Sequence, residues 1–445
     1  MNEHFLHFVW KNKLYRTDNL FTSDKLPLSI IDPGTYNKDS GPDFLNARII
    51  INGTEWAGNV EIHLESSMWY SHRHHLDRAY NNVILHVVGK HNRECSTESG
   101  IKIDTFVIKP DRGVTSRYRE YMNDPSLIVC RNDLKDFDPY YFRHWINRLA
   151  ISRIQVRSDK LSALLAESNS DWEEALYIVL AENLGMKVNR SSFASLARRV
   201  PLKLLRRHAD NLLQVEALLF GQAGMLSHDC LKSKTPDEYY NLLLREYGVL
   251  KAKYKLKPML ECEWKYHRMR PLNFPTLRIS QLAALIAARQ ALFSRIVEAV
   301  SLDEISGLLK VSSSPYWQNH YRFGVAADKV NANMGDTMIN TLLINAIVPL
   351  LFLYGKRNRI QDLCDRAIDL LDSLPPEDNI IIREWSVARI KPVSALETQG
   401  LTELRNSFCK KRECLNCHIG TKLISLGKEI NPEMNNTLFD KGDNL

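Results

Sequence analysis

The feature that most constrains this chain is Asn52-Gly53, set between two apolar runs, Phe44 to Ile51 and Thr54 to Leu64. A two-residue turn needs positive φ at both positions. Asn followed by Gly tolerates that best, so the two runs are expected to pair as a β-hairpin. The second run ends in Val60-Glu61-Ile62-His63-Leu64. Strand side chains alternate between faces, which puts Glu61 and His63 on one face and Val60, Ile62 and Leu64 on the other. A third apolar run, Val83 to Val88, reads as a further strand, with a helix expected between them from Ser66 to Asn81. A polar loop over residues 34–42 delivers Asp43 onto the first strand. Loops that carry a carboxylate to a strand end are a usual seat of chemistry.

At 445 residues the chain is too long for one ordinary core, and more than one domain is expected. Its 59 basic and 52 acidic side chains leave a net charge of +7, a mild lean toward polyanionic partners. The N-terminus has no basic segment followed by an apolar one, so no signal peptide is read there and a cytoplasmic location is expected. The most apolar stretch, Ile339 to Gly355, carries Asn340, Asn345 and Pro349. It is short for a bilayer and reads as a buried helix, with no membrane involved. Eight cysteines in so long a chain do not make a disulfide scaffold, so a cluster of them points to metal first.

Three segments follow from the patterning. Residues 1–125 read as an α/β domain, opened by an amphipathic helix over 1–16, with further strands over 26–32 and 101–108. A connector is expected over 110–138. Residues 126–430 read as a large, mostly α-helical domain. Apolar residues there recur at helical spacing over 171–185, 191–207, 210–225, 237–255, 278–298, 302–310, 337–354 and 358–373. Residues 431–445 read as a polar tail.

Several groups carry possible chemistry. Asp43 and Glu61 offer hard oxygen ligands, which suit Mg²⁺ or Mn²⁺. His72, His74, His75 and Asp77 are the densest group of potential metal ligands, with His63 and His86 in the same neighbourhood. On a continuous helix His72 and His75 share one face, and His74 and Asp77 another. The group resembles the His-x-His-x-Asp-His signature of metallo-β-lactamase-type hydrolases, but Asp77 comes one position late. Trp56 is expected in the core; Trp69 is balanced between core and base stacking. In the helical part, Lys253, Lys255, Lys265, Arg268 and Arg270 interleave with Trp264 and Tyr266, a composition that suits phosphate contact and stacking as well as it suits a solvated face. Near the C-terminal end stand Cys409, Cys414 and Cys417, a C-x4-C-x2-C spacing that can chelate zinc or part of an iron–sulfur cluster. The fourth ligand is open among His418, Cys364, Cys262 and Cys130.

Pro42-Asp43 opening one strand, Glu61 on the next, then a helix and a further strand resemble the PD-(D/E)XK nucleases. The resemblance implies a restriction-endonuclease-like mixed sheet, carboxylate-held metal, and cleavage of DNA or RNA. It assigns Asp43 and Glu61 to metal and His63 to the position where the family has Lys, as water activator or extra ligand. It also brings in Glu3, since some of these nucleases use a first-helix Glu. The departure at His63 keeps two alternatives open: a nucleic-acid-binding protein on an inactive nuclease fold, or a His-rich zinc hydrolase of small molecules. Over most of its length the chain is identified as a member of a bacterial family catalogued as a domain of unknown function. That membership rests on Gly41-Pro42-Asp43-Phe44, Gly58-Asn59-Val60-Glu61-Ile62-His63, Ile84-Leu85-His86-Val87-Val88, Arg270-Pro271-Leu272-Asn273-Phe274-Pro275 and Cys414-Leu415-Asn416-Cys417-His418-Ile419-Gly420.

Overall fold

The structure, a computed structural model, describes residues 2–227, 236–328 and 330–427. The expected tail over 431–445 lies outside the described residues. Two compact units emerge. One comprises residues up to Trp145 together with Arg383–Ile390 and the chain from Glu403 onward; the other comprises Ile146–Ile382 and Lys391–Thr402.

The first unit is α/β. Helix α1 (Glu3–Lys11) starts at Asn2, whose side chain accepts the Phe5 N–H at 3.0 Å, and buries Phe5, Leu6, Phe8, Val9 and Trp10. The strands are β1 (Leu20–Phe21), β2 (Pro27–Asp32), β3 (Thr35–Tyr36), β4 (Phe44–Ile51), β5 (Thr54–Glu65), β6 (Val83–Lys90) and β7 (Thr105–Val107). They form one seven-stranded sheet in the order β1-β2-β4-β5-β6-β7, with β3 pairing with the start of β4 on the edge that β2 takes further along. β4 and β5 are the expected hairpin: Ile51 faces Thr54, and Asn52 and Gly53 take φ of 49° and 84°. β5, β6 and β7 are parallel, with Glu61 opposite His86. Gly58 lies where the two long strands approach closely. A Cβ there would stand 2.5 Å from Ile84 Cγ2 and 2.7 Å from Asn82 O.

The parallel pair needs a crossover, which residues 66–82 supply. It is not the continuous helix expected from Ser66 to Asn81. It holds α2 (Met68–Ser71), then Arg73 in the left-handed region at φ 64°, then two short 3-10 turns, His74–Leu76 and Arg78–Tyr80. Trp69 is fully buried, its indole N–H donating to Ser96 O at 3.0 Å, so it is core. Trp56, expected in the core, is 49 % exposed. It sits beyond Gly58, where β5 extends past the start of β6 and loses cover on that side. The strand expected over 101–108 is two pieces that turn apart at Asp104: Lys102–Ile103 pairs with Cys95–Ser96, and β7 joins the main sheet. The connector expected over 110–138 contains a helix, α3 (Arg112–Asn123), capped by Asp111.

α4 (Pro139–Glu167) begins in the first unit and continues into the second. The second unit is almost all helical, as its periodicity predicts, with one apolar core running through it. The expected run over 191–207 breaks at Pro201, and that over 278–298 breaks near Ala291. A small hairpin, His320–Arg322 with Val325–Ala326, carries no period long enough to announce it. The apolar helix Asp336–Asn358 is long enough to cross a membrane, but 72 % of its most apolar window is buried in the fold, as expected of a core helix.

Candidate metal centre

The sheet brings Asp43 and Glu61 together at the start of β4 and the middle of β5. Their backbones and carboxylates pair reciprocally. The Asp43 N–H donates to Glu61 Oε2 at 3.0 Å, and the Ile62 N–H donates to Asp43 Oδ2 at 2.9 Å. Each carboxylate is thereby held in place by the strand that carries the other.

Imidazoles surround this pair. His63 follows Glu61 two residues along β5 and is 2 % exposed. Its Nδ1 lies 2.8 Å from His86 Nε2 on β6, and its Nε2 lies 3.1 Å from His72 Nδ1. His74 stacks between His63 and Tyr80, at ring distances of 5.3 and 3.9 Å. Its Nε2 stands 3.2 Å from Glu61 Oε1, and His63 Nε2 stands 3.5 Å from the same oxygen. One ligand atom from each of His63, His72 and His74 lies within 4.8 Å of the others. His72 is exposed and His74 buried, so the group opens to solvent on the His72 side.

The break at Arg73 makes this arrangement. A continuous helix pairs His72 with His75; the left-handed residue instead turns His74 inward beside His72 and sends His75 and Asp77 away. His75 packs on the Tyr70 ring at 4.8 Å, and Asp77 caps the next turn by accepting the Ala79 N–H at 2.9 Å. Neither joins the group.

α1 contributes two further side chains. His7 Nε2 lies 3.3 Å from Asp43 Oδ2, off hydrogen-bond geometry. Glu3, one turn earlier, is close enough to act on the His7 charge. The nuclease resemblance brings in Glu3; the sequence reading passes over His7, although its i, i+4 relation to Glu3 puts both on one helix face.

The electrostatics follow from burial. Desolvation, then the neighbouring imidazoles, push His63 down to about 2, and desolvation with His74 and His91 pushes His86 down to about 3. Both are neutral at ordinary pH, with a lone pair available. Burial also raises Glu61, against the pull of His74. For His7 burial works downward, but Asp43, Glu3 and Glu61 outweigh it and raise the imidazole.

A metal suits this donor set. His74 Nε2, His7 Nε2 and Glu3 Oε1 are buried polar atoms that make no hydrogen bond within the described chain. Buried polar atoms ordinarily find a partner. If Nε2 of His63 binds an ion, its Nδ1–H donates to His86 Nε2, the second hydrogen bond that metal-bound histidines characteristically make.

The remaining residues singled out in the sequence lie elsewhere. Lys253, Lys255, Lys265, Arg268 and Arg270 are exposed on the second unit. Trp264 is buried, donating to Ala223 O at 2.7 Å, so it offers no stacking face. Cys409, Cys414 and Cys417 belong to the first unit and are not part of the imidazole group. His418 packs its ring 5.4 Å from that of Trp145.

Residues 3–380 match the family described as Protein of unknown function (DUF2851), and the chain belongs to it. No curated protein and no solved structure matches the chain.

Proposed function

We propose that this member of the family is a metal-dependent nuclease, hydrolysing phosphodiester bonds at the centre on β4, β5 and the broken crossover. The observation that carries the reading is the reciprocal Asp43–Glu61 pair beside three imidazoles with ligand atoms within 4.8 Å. An Asp at the start of one strand, a Glu on its hairpin partner and a crossover to a parallel strand are the features that resemble the PD-(D/E)XK nucleases, and they support the substrate class.

Glu61, His63, His72 and His74 would hold the ion, with Asp43 as a further carboxylate ligand. A bound divalent ion supplies an activated water and stabilises charge on the phosphate. Imidazoles favour zinc or iron, while the carboxylates keep Mn²⁺ within range and leave Mg²⁺ less favoured. Neutral His63 does not supply the positive charge that Lys brings to this position in PD-(D/E)XK sites. It acts as a ligand, oriented by His86. His7 Nε2, 3.3 Å from Asp43 Oδ2 and without a hydrogen bond in the described chain, would be a further ligand for the ion or for its bound water. The exposed Lys253, Lys255, Lys265, Arg268 and Arg270 would give the second unit phosphate contacts of its own.

The test is cleavage of labelled single- and double-stranded DNA and RNA with Mn²⁺, Zn²⁺, Mg²⁺ or EDTA, comparing wild type with Glu61→Gln. Cleavage is expected to need metal and to fall at least about 100-fold in the variant, the scale on which a catalytic metal's contribution is lost. Unchanged metal-dependent cleavage by Glu61→Gln would remove this centre from the reaction. His63 in the Lys position favours a second reading, a nucleic-acid-binding protein without cleavage, which predicts salt-sensitive retention and no products with any metal. The three imidazoles favour a third, zinc-dependent hydrolysis of small molecules. A chromogenic phosphodiester or ester cleaved while all nucleic acids stay intact would select it.

A further inference from the structure

The C-terminal cysteines form a second group of metal-ligating side chains that the proposed nuclease does not use. Cys409 closes a π-helical turn, Arg405–Cys409. The loop after it is held by the Glu413 N–H donating to Phe408 O at 3.0 Å and the Cys417 N–H donating to Cys414 O at 3.4 Å. Gly420 packs so tightly beneath it that a Cβ would stand 2.4 Å from Cys414 O. Arg412, left-handed at φ 59°, reaches out of this loop and donates to Asp124 O at 2.7 Å. That fastens the loop to the segment after α3. There the Cys130 carbonyl accepts the Asp133 and Leu134 N–H groups at 3.0 and 3.2 Å, and the Tyr121 hydroxyl holds Asp133 at 2.6 Å.

The Arg412–Asp124 bond thus brings the loop to the segment that carries Cys130, and Cys409, Cys417 and Cys414 each act on the Cys130 charge. The competing partners fall away. Cys364 donates to Phe352 O at 3.7 Å within the other unit, Cys262 is exposed there, the His418 ring packs beside Trp145, and Cys95 donates to Ser66 O at 3.3 Å. The surroundings suit thiolates. Against a burial that favours the thiol, the Gly420 and Ile419 N–H groups, in the first turn of helix His418–Ser425, and the Trp145 indole each favour the Cys417 thiolate. Arg405 acts on Cys409 and Arg412 on Cys414. Without a cation, burial holds the protons on, pushing Cys409 up to about 12 and Cys414 up to about 11.

We propose that Cys130, Cys409, Cys414 and Cys417 are the four ligands of one metal–thiolate centre, which takes a thiophilic metal as a zinc ion or an iron–sulfur cluster. Each thiol gives up its proton to solvent as the metal–sulfur bond forms. The spacing C-x4-C-x2-C with a distant fourth cysteine occurs among iron–sulfur ligand sets. Among the described residues only His63, His72 and His74 have three ligand atoms within 4.8 Å of one another, so no three of these sulfurs are gathered that closely. A single zinc ion at about 2.3 Å from each sulfur would need them closer, which favours the cluster. The centre joins residue 130 to the returning C-terminal segment and so closes the first unit.

The experiment uses the full chain carrying His72→Ala and His74→Ala, so that metal at the first centre does not count. It is purified anaerobically and assayed for zinc, iron, acid-labile sulfide and visible absorption. The expected result is iron with sulfide, lost as fully in Cys130→Ser as in Cys417→Ser and retained in Cys262→Ser. One zinc per chain with the same mutational pattern would equally support the four-thiolate centre and assign its occupant. Absence of bound metal, or full metal in Cys130→Ser, would overturn it. Alkylation of the unsubstituted cysteines guards against misfolded variants. Cys262 should react at once, and the four ligands should become reactive together only when a chelator or acid removes the metal. Alkylation of Cys130 while the other three stay protected would also overturn the proposal.

Discussion

Glu61 and Glu216 show how differently one residue type behaves when buried. Glu61 meets imidazoles and a partner carboxylate at a centre open to solvent on one side. Glu216, in the helical unit, is 1 % exposed and has only neutral partners: the Tyr239 hydroxyl donates to it at 2.5 Å and the Ser314 hydroxyl at 3.0 Å. Burial without a cation raises Glu216 to about 7. In the unfolded chain a Glu titrates near about 4.3. Between those values the folded protein binds a proton that the unfolded chain has released, so this residue's contribution to stability is fully present below the lower value. It falls as pH rises and is gone above the upper one. The loss is on the order of 3 kcal/mol. Glu216→Gln cannot ionise, so its stability relative to wild type should rise by that order from pH 4.5 to pH 8, as read from urea unfolding at both. A difference that stays flat with pH would mean that Glu216 is ionised in the fold. Sequence patterning cannot reveal this residue, because an isolated Glu within an apolar helix gives no sign of what faces it.

At the scale of elements, the hairpin and the parallel strand after it were legible because their signals are local. Asn52-Gly53 fixes the turn, and period-two apolar residues fix the faces. The crossover was not legible. Residues 66–81 have a composition compatible with helix, and what breaks them at Arg73 is tertiary: His74 is drawn inward by stacking on His63 and Tyr80 while Trp69 is pinned in the core. That one left-handed residue decides which histidines share a centre. The two arrangements predict different mutants. With the break, His72→Ala and His74→Ala should each weaken Zn²⁺ or Mn²⁺ binding by roughly 10-fold or more, while His75→Ala and Asp77→Ala leave it within about twofold, on the scale seen for lost ligands and their supports. Titration calorimetry on the four variants checks this. Loss of binding in His75→Ala equal to that in His72→Ala would restore the continuous helix.

At the scale of the molecule, the sequence reads as sheet first and helices after, and the helical part followed from its apolar period. What that order hides is the return of the chain from Glu403 onward to the first unit, a pairing of segments about 300 residues apart that no local pattern encodes. The returning segment buries Ile419, Leu423 and Ile424, and Leu423 O accepts from Arg117 of α3 at 3.0 Å. Gly113 and Gly427 approach so closely that a Cβ on Gly113 would stand 1.8 Å from Gly427 O. The two units should therefore respond differently to a chain that ends at residue 402, where the last residues of the helical unit are still present. Removing three large buried aliphatic side chains alone withdraws about 5 kcal/mol or more from the first unit, comparable to the whole stability of a small domain. Hydrogen exchange should then show amides of β4, β5, β6 and α3 losing protection, while those of Trp172–Leu184 and Gln361–Ser373 keep theirs. Equal loss across both units would mean that they fold as one cooperative body. Unchanged protection of the sheet would mean that the returning segment is dispensable and that its cysteines serve something other than closure of the first unit.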